Sequence, residues 1–234
     1  MKKIISVLLI ITTLFAFSLT CFALMTPEDE EEIRKELVEK ACSDFSDLWP
    51  ETQNINFIAR VYYYGLMVGD NTNQWKPDRI MTKAELIVLY YKLFNNVVSY
   101  YFDEPDDSII LPFNDVNGTE YYCDALKVMY KNGIIVGNEK REFEPNRLMR
   151  AEEATAIFGR IIDFFDRDVD KPGSSNLLYA DEISDWALKD CIRLPNIERN
   201  GVFDFNKSHP RLFVRRNELA EVSLWFYSLH NPIG

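Results

Sequence analysis

Apolar positions along the chain fall at helical spacing in short segments, and the loops between them are rich in Gly, Pro, Asn and Asp. Ile33, Leu37, Val38 and Ala41 share one face behind Thr26-Pro-Glu-Asp-Glu-Glu-Glu. There Thr26 suits an N-cap, Pro27 a first turn and the acids the positive end of a helix, so the acid run reads as a solvated helix start and not a metal site. Phe57, Ile58, Val61 and Tyr62 predict a helix over about 54–64. Leu86, Ile87, Leu89, Tyr90, Leu93 and Phe94 predict a second, opened by the capping box Thr82-Lys-Ala-Glu85 and running on towards Tyr101. Ala125, Leu126, Met129 and Tyr130 place a helix at about 120–132, and Ala154, Ile157, Phe158, Ile161 and Ile162 one at about 149–165. Ser184-Asp-Trp186 opens another, and a last helix runs from about Arg216 to Leu229. Leu66-Met67-Val68, between two glycines, is expected as a short buried extended piece.

The order of these features repeats. Phe113-x-Asp115-Val, a helix, Gly133-Ile-Ile-Val-Gly137, Phe143-x-Pro145 and Arg150-Ala-Glu follow Phe45-x-Asp47-Leu, a helix, Gly65-Leu-Met-Val-Gly69, Trp75-x-Pro77 and Thr82-Lys-Ala-Glu. Gly65 to Gly133, Gly69 to Gly137 and Pro77 to Pro145 are each separated by 68 positions, which marks an internal repeat. A third, degraded copy starts at Tyr179-Ala-Asp181, has Asn200-Gly201 near its turn, and keeps from Pro210 to Glu218 the separation of Pro77 from Glu85. Gly65 and Gly133, just past a helix, suit left-handed C-caps. Asp47, Asp115 and Asp181 are expected to cap the turn before each first helix, Glu85 and Glu152 to cap second helices, and Phe143 and Pro145 to pack.

These motifs resemble the S-layer homology domain, whose usual complement is three tandem copies. The resemblance spans about residues 45–229, strongest in the second copy. It implies an all-α fold of three helix–loop–helix repeats in a pseudo-threefold bundle, here preceded by an N-terminal helix. The expected organisation is a signal peptide at 1–23, an acidic helix at 24–44, repeats at 45–104 and 105–166, a linker at 167–175 and a divergent repeat at 176–234. It also implies that the grooves bind pyruvylated secondary cell-wall polysaccharide. The family's Thr-Arg-Ala-Glu falls on Thr82-Lys83-Ala84-Glu85 and on Arg215-Arg216-Asn217-Glu218. In the second copy it falls on Met149-Arg150-Ala151-Glu152 if one residue is deleted after Pro145; without that deletion Arg150 takes the Thr position. A guanidinium grips a carboxylate through two parallel hydrogen bonds, a lysine only as a point charge, and a helix N-terminus adds backbone donors. The glycan-binding candidates are therefore Lys83, Arg150, Arg216 and Thr82, with Gly69 and Gly137 allowing close backbone approach and Trp75, Tyr121 and Trp186 offering faces for sugar stacking.

Charge and leader refine this picture. Met1-Lys-Lys, an apolar run from Ile4 to Leu19 and Cys21-Phe-Ala23 read as a secretory signal cleaved after Ala23. The formal net charge is −11. The leader carries two lysines and no acid, so the mature chain is more acidic still, which argues against nucleic acid and anionic membranes as partners. Cys42, Cys123 and Cys191 are too few and too widely spaced for a disulfide framework or a zinc site, and are expected as free thiols. His209 and His230 stand without a nucleophile motif. The sequence thus reads as a non-catalytic, cofactor-free wall-binding protein at the bacterial surface, with self-association or a surface-protein partner as a further possibility. The alternative is an exported interaction protein that keeps the fold and has lost the glycan.

Overall fold

The computed structural model describes residues 27–97, 102–165, 177–193 and 209–230. The expected leader at 1–23, the linker at 167–175 and the Asn200-Gly201 turn lie outside the described residues. Seven α-helices are present among them: α1 Pro27–Asp44, α2 Ile55–Tyr63, α3 Lys83–Lys92, α4 Cys123–Lys131, α5 Ala151–Phe164, α6 Asp185–Arg193 and α7 Arg216–His230. The fold is all-α, as the resemblance implies, and no strand longer than an isolated bridge occurs among the described residues. The helix predicted towards Tyr101 stops being α-helical earlier, in a π-helical turn at Leu93–Val97. Leu66 and Met67 are buried as expected, but Val68 is exposed, and so is Val136 in the equivalent place.

Three loop-to-helix segments hold the molecule together. Ile80, Thr82 and Arg150 form antiparallel bridges with Arg215, Leu148 and Phe213 respectively. The backbone bonds run in a cycle: Met81 N donates to Val214 O, Val214 N to Met149 O and Met149 N to Met81 O, each at 3.0 Å. The three middle side chains, Met81, Met149 and Val214, are fully buried at the centre. The ring also consumes the free N–H groups at the starts of three helices. Lys83 N and Ala84 N donate to Arg147 O and Pro145 O; Ala151 N and Glu152 N to Leu212 O and Pro210 O; Arg216 N and Asn217 N to Arg79 O and Pro77 O. The backbone donors expected to await a ligand are thus spent on the neighbouring segment.

Above the ring, α3 and α5 meet through aromatic side chains. Tyr90 packs edge-on to Phe158 at 5.2 Å and its hydroxyl donates to Ala154 O; Phe94 stacks on Phe165. α6 lies against α5, where Gly159 faces Asp190 so closely that a Cβ would collide with the carboxylate. α1 packs on α2, and α2 on α7. Gly65 and Gly133 take the left-handed conformation expected after a helix, with φ 66° and 70°. Cys42, Cys123 and Cys191 are free, and the last two are buried.

Candidate functional site

The loop that follows α2 is shaped by a long-range clamp. Asp47 does not cap the turn before α2. Its carboxylate accepts from Trp75 N at 2.8 Å and Lys76 N at 2.7 Å, which fixes Lys76 at φ 58°. Asp115 repeats the device on Phe143 N and Glu144 N, at 2.8 and 2.7 Å, with Glu144 also at φ 58°. Gly69 and Gly137 sit inside the same arrangement. A Cβ at either would strike the ring of Phe45 or Phe113, so packing, not room for a sugar, requires glycine there.

The loop of Asp47 borders a cleft of ≈ 250 Å³. Its wall includes Val68, Gly69, Asp70, Trp75, Arg79, Glu85, Lys92, Tyr121 and Arg216. Arg216, the first residue of α7, crosses into this loop from the other end of the sequence. Its Nε donates to Trp75 O at 2.9 Å, an Nη donates to Val68 O at 2.7 Å, and the guanidinium lies 4.4 Å from the centre of the Trp75 ring. Arg216 is only 6 % exposed and forms no ion pair among the described residues. Burial, with Arg79 close by, pulls its pKa down to about 10. Trp75 is 1 % exposed and covered by that guanidinium, so it supports the arginine and cannot stack on a sugar. The exposed aromatic on the cleft is Tyr121. Arg79 is held by Glu85 in a two-pronged pair, at 2.5 and 3.0 Å, and Lys92 Nζ donates to Gly65 O.

Lys83 occupies in α3 the place that Arg216 occupies in α7. It is 9 % exposed, with its ammonium 4.9 Å from the centre of the Phe143 ring. Burial first, and Arg147 second, push its pKa down to about 8, against the opposing pull of Glu144, Glu153 and Asp115. The third helix start breaks the pattern. Arg150 precedes α5 as its N-cap, and its N–H donates to Glu153 Oε2 at 3.1 Å. Thr82 N and Glu85, and Arg215 N and Glu218, make the same bond. Arg150 therefore matches Thr82 and Arg215, while Ala151 stands where Lys83 and Arg216 stand. The ungapped alignment is the one the structure has. Glu153, not Glu152, caps α5. Glu152 is buried and accepts from Ser184 N and Oγ. Thr82 caps α3 as expected, its Oγ1 accepting from Glu85 N. Trp186 is exposed on α6, apart from the cleft lining.

No group of His, Cys, Asp and Glu among the described residues has the arrangement of a metal site, and no helix among them is long and apolar enough to cross a membrane.

Residues 112–155 match the S-layer homology domain, so the chain carries a domain of that family. The domain is a non-catalytic module of cell-wall attachment, and it assigns the chain to the exported, cell-surface class. The chain is also similar to parts of larger proteins. It is 28% identical over 150 residues to an amylopullulanase of Thermoanaerobacterium thermosulfurigenes, over 64% of this chain and 7% of the relative. It is 29% identical over 161 residues to exoglucanase XynX of Acetivibrio thermocellus, over 67% of this chain and 14% of the relative. An endo-1,4-beta-xylanase A of Thermoanaerobacterium saccharolyticum is 31% identical over 90 residues, which are 38% of this chain and 7% of the relative. The chain therefore spans only a small part of each of these relatives.

Proposed function

We propose that the chain, as three S-layer homology repeats at 45–104, 105–166 and 176–234 behind a cleaved leader, attaches to an anionic secondary cell-wall polysaccharide through the Arg216 cleft. The observation that carries this reading is a buried guanidinium whose hydrogen bonds go to neutral carbonyls and which has no carboxylate paired to it among the described residues. Burying an unpaired charge is costly, and a ligand carboxylate, such as that of a pyruvyl ketal, supplies the missing partner. Val68 and Tyr121 give the sugar apolar contact. Lys83 over Phe143 is a second, weaker site because an ammonium lacks the planar fork. Ala151 leaves the remaining position without a cation.

That absence favours the second reading, an exported protein that keeps the fold and binds a protein partner instead. Co-sedimentation separates the two. The mature protein is expected to pellet with purified cell walls and to stay in solution after the secondary polymer has been extracted from them. Arg216→Ala should weaken pelleting about tenfold or more, in line with the ~1.5–3 kcal/mol of a charge-assisted hydrogen bond. Equal pelleting with intact and extracted walls would exclude the polymer as ligand.

A further inference from the structure

The outer face of the ring is a surface that neither capping nor packing explains. Met81, Met149 and Val214 point inward, so their neighbours on either side point out. Residues opposed in a bridge share a face, which puts Ile80 beside Arg215, Thr82 beside Leu148 and Arg150 beside Phe213. Leu148, Phe213, Arg150 and Arg215 are all exposed.

The two arginines are out of place as helix caps. An N-cap side chain stabilises a helix by accepting a hydrogen bond, as Thr82 does from Glu85 N, and a guanidinium has no acceptor. They are also unpaired among the described residues, whereas Arg79 and Arg147, which lie three residues before Thr82 and Arg150, each hold a carboxylate. Two spare guanidinium groups are notable in a chain with 37 acids and a net charge of −11.

This face is continuous with the Arg216 cleft. Tyr121 lines the cleft and lies close to the Thr82 side chain; Thr82 opposes Leu148, and Leu148 lies two residues from Arg150 on the same face. At ≈ 250 Å³ the cleft is smaller than the ~300 Å³ at which sites begin to enclose drug-sized ligands, so it holds one unit of a polymer and the remainder runs outside.

We propose that Arg150 and Arg215, with Leu148 and Phe213 between them, form an extension subsite for the same anionic polysaccharide, gripping acidic units beyond the one held at Arg216. The inference rests on the wall-polymer reading above and deepens it. Each guanidinium takes a carboxylate, and the apolar side chains lie under sugar faces. Because the arginines are exposed, their contribution is screened by salt.

The test uses the mature chain and two probes: polysaccharide released from purified walls, and a fragment of it sized to one repeating unit. Binding is followed by titration calorimetry at low and physiological ionic strength. The double variant Arg150→Ala/Arg215→Ala should bind the single unit with unchanged Kd and the polymer about three- to tenfold more weakly at low salt, with a shallower salt dependence. Arg216→Ala should weaken both probes. Unchanged polymer binding by the double variant overturns the extension subsite and leaves the cleft reading standing. Unchanged binding by Arg216→Ala overturns the cleft reading. A wild-type chain that binds neither probe overturns both. If the double variant instead alters the sedimentation coefficient of the free protein, the face is a contact between copies and the proposal fails.

Discussion

Lys83 and Arg216 hold the same position at two helix starts and solve the same problem differently. Both are buried cations beside an aromatic ring, Phe143 for one and Trp75 for the other. Arg216 stays charged because a guanidinium remains protonated even when its pKa falls to about 10. Lys83, at about 8, lies close to losing its proton. The unfolded chain holds that proton up to about 10.4. Between those values the unfolded state binds more protons than the folded one, so this group makes stability rise as pH rises from about 8 towards 10. Below 8 the lysine is charged in both states and its burial is a standing cost. Lys83→Met, which keeps the stem over Phe143, should therefore stabilise the protein at pH 7 by about 1–2 kcal/mol after the lost cation–π contact is discounted. It should also flatten the rise above pH 8. Chemical denaturation at pH 7, 8.5 and 10 checks both; a variant less stable than wild type at pH 7 would show that Lys83 is satisfied where it lies. Any ligand held at Lys83 should for the same reason release as pH passes 8.

At the scale of elements, Asp47 and Asp115 matter through what they hold 28 and 29 residues away. Removing Asp47 leaves two loop N–H groups without an acceptor and frees Lys76 from a backbone conformation that non-glycine residues avoid. Asp47→Ala should cost about 2–3 kcal/mol and loosen the loop whose carbonyls position Arg216, so wall binding falls even where the protein remains folded. Asp115→Ala should cost a similar amount and leave the Arg216 cleft intact. Thermal unfolding paired with wall co-sedimentation reads the difference, and equal loss of binding in both variants would disprove the local role of Asp47. The helices and the glycines were legible in the sequence because periodicity and a fixed 68-residue offset mark them directly. The clamp was not, because an Asp before a helix carries the ordinary signature of a local turn. The register of Arg150 was legible in principle: the same offset pairs Thr82 with Arg150 and Glu85 with Glu153. The likeness of Arg150-Ala-Glu to Lys83-Ala-Glu points one residue away, so at the level of sequence both registers stand. Trp75 marks a limit of the same kind: the sequence places an aromatic near a site without saying whether a cation from far along the chain covers it.

For the whole molecule, the decisive feature is that each segment of the ring caps the next. Met81, Val214 and Met149 donate to one another in a closed cycle, and the first two helical amides of each segment are satisfied by carbonyls of its neighbour. An arrangement in which each part depends on the next one round cannot lose one member and keep the other two. Were the segments independent, as in an open stack where each unit contacts only its neighbours, they would open one at a time. The ring predicts one cooperative unit spanning more than 130 residues of sequence, from Met81 to Val214. The amides of Met81, Met149 and Val214 should therefore exchange with solvent deuterium only by global unfolding, with one shared free energy. Met149→Ala removes a fully buried side chain and should lower stability by about 2–5 kcal/mol. It should lower the protection of all three amides by the same amount, although Val214 lies 65 residues from the substitution. Hydrogen exchange followed by mass spectrometry or NMR gives the three values separately. If Val214 keeps its protection while Met149 loses it, the ring is an assembly of separable parts. If all three fall together, groove and fold share one equilibrium, and polysaccharide bound at Arg216 should protect Met149 as strongly as it protects the segment it touches.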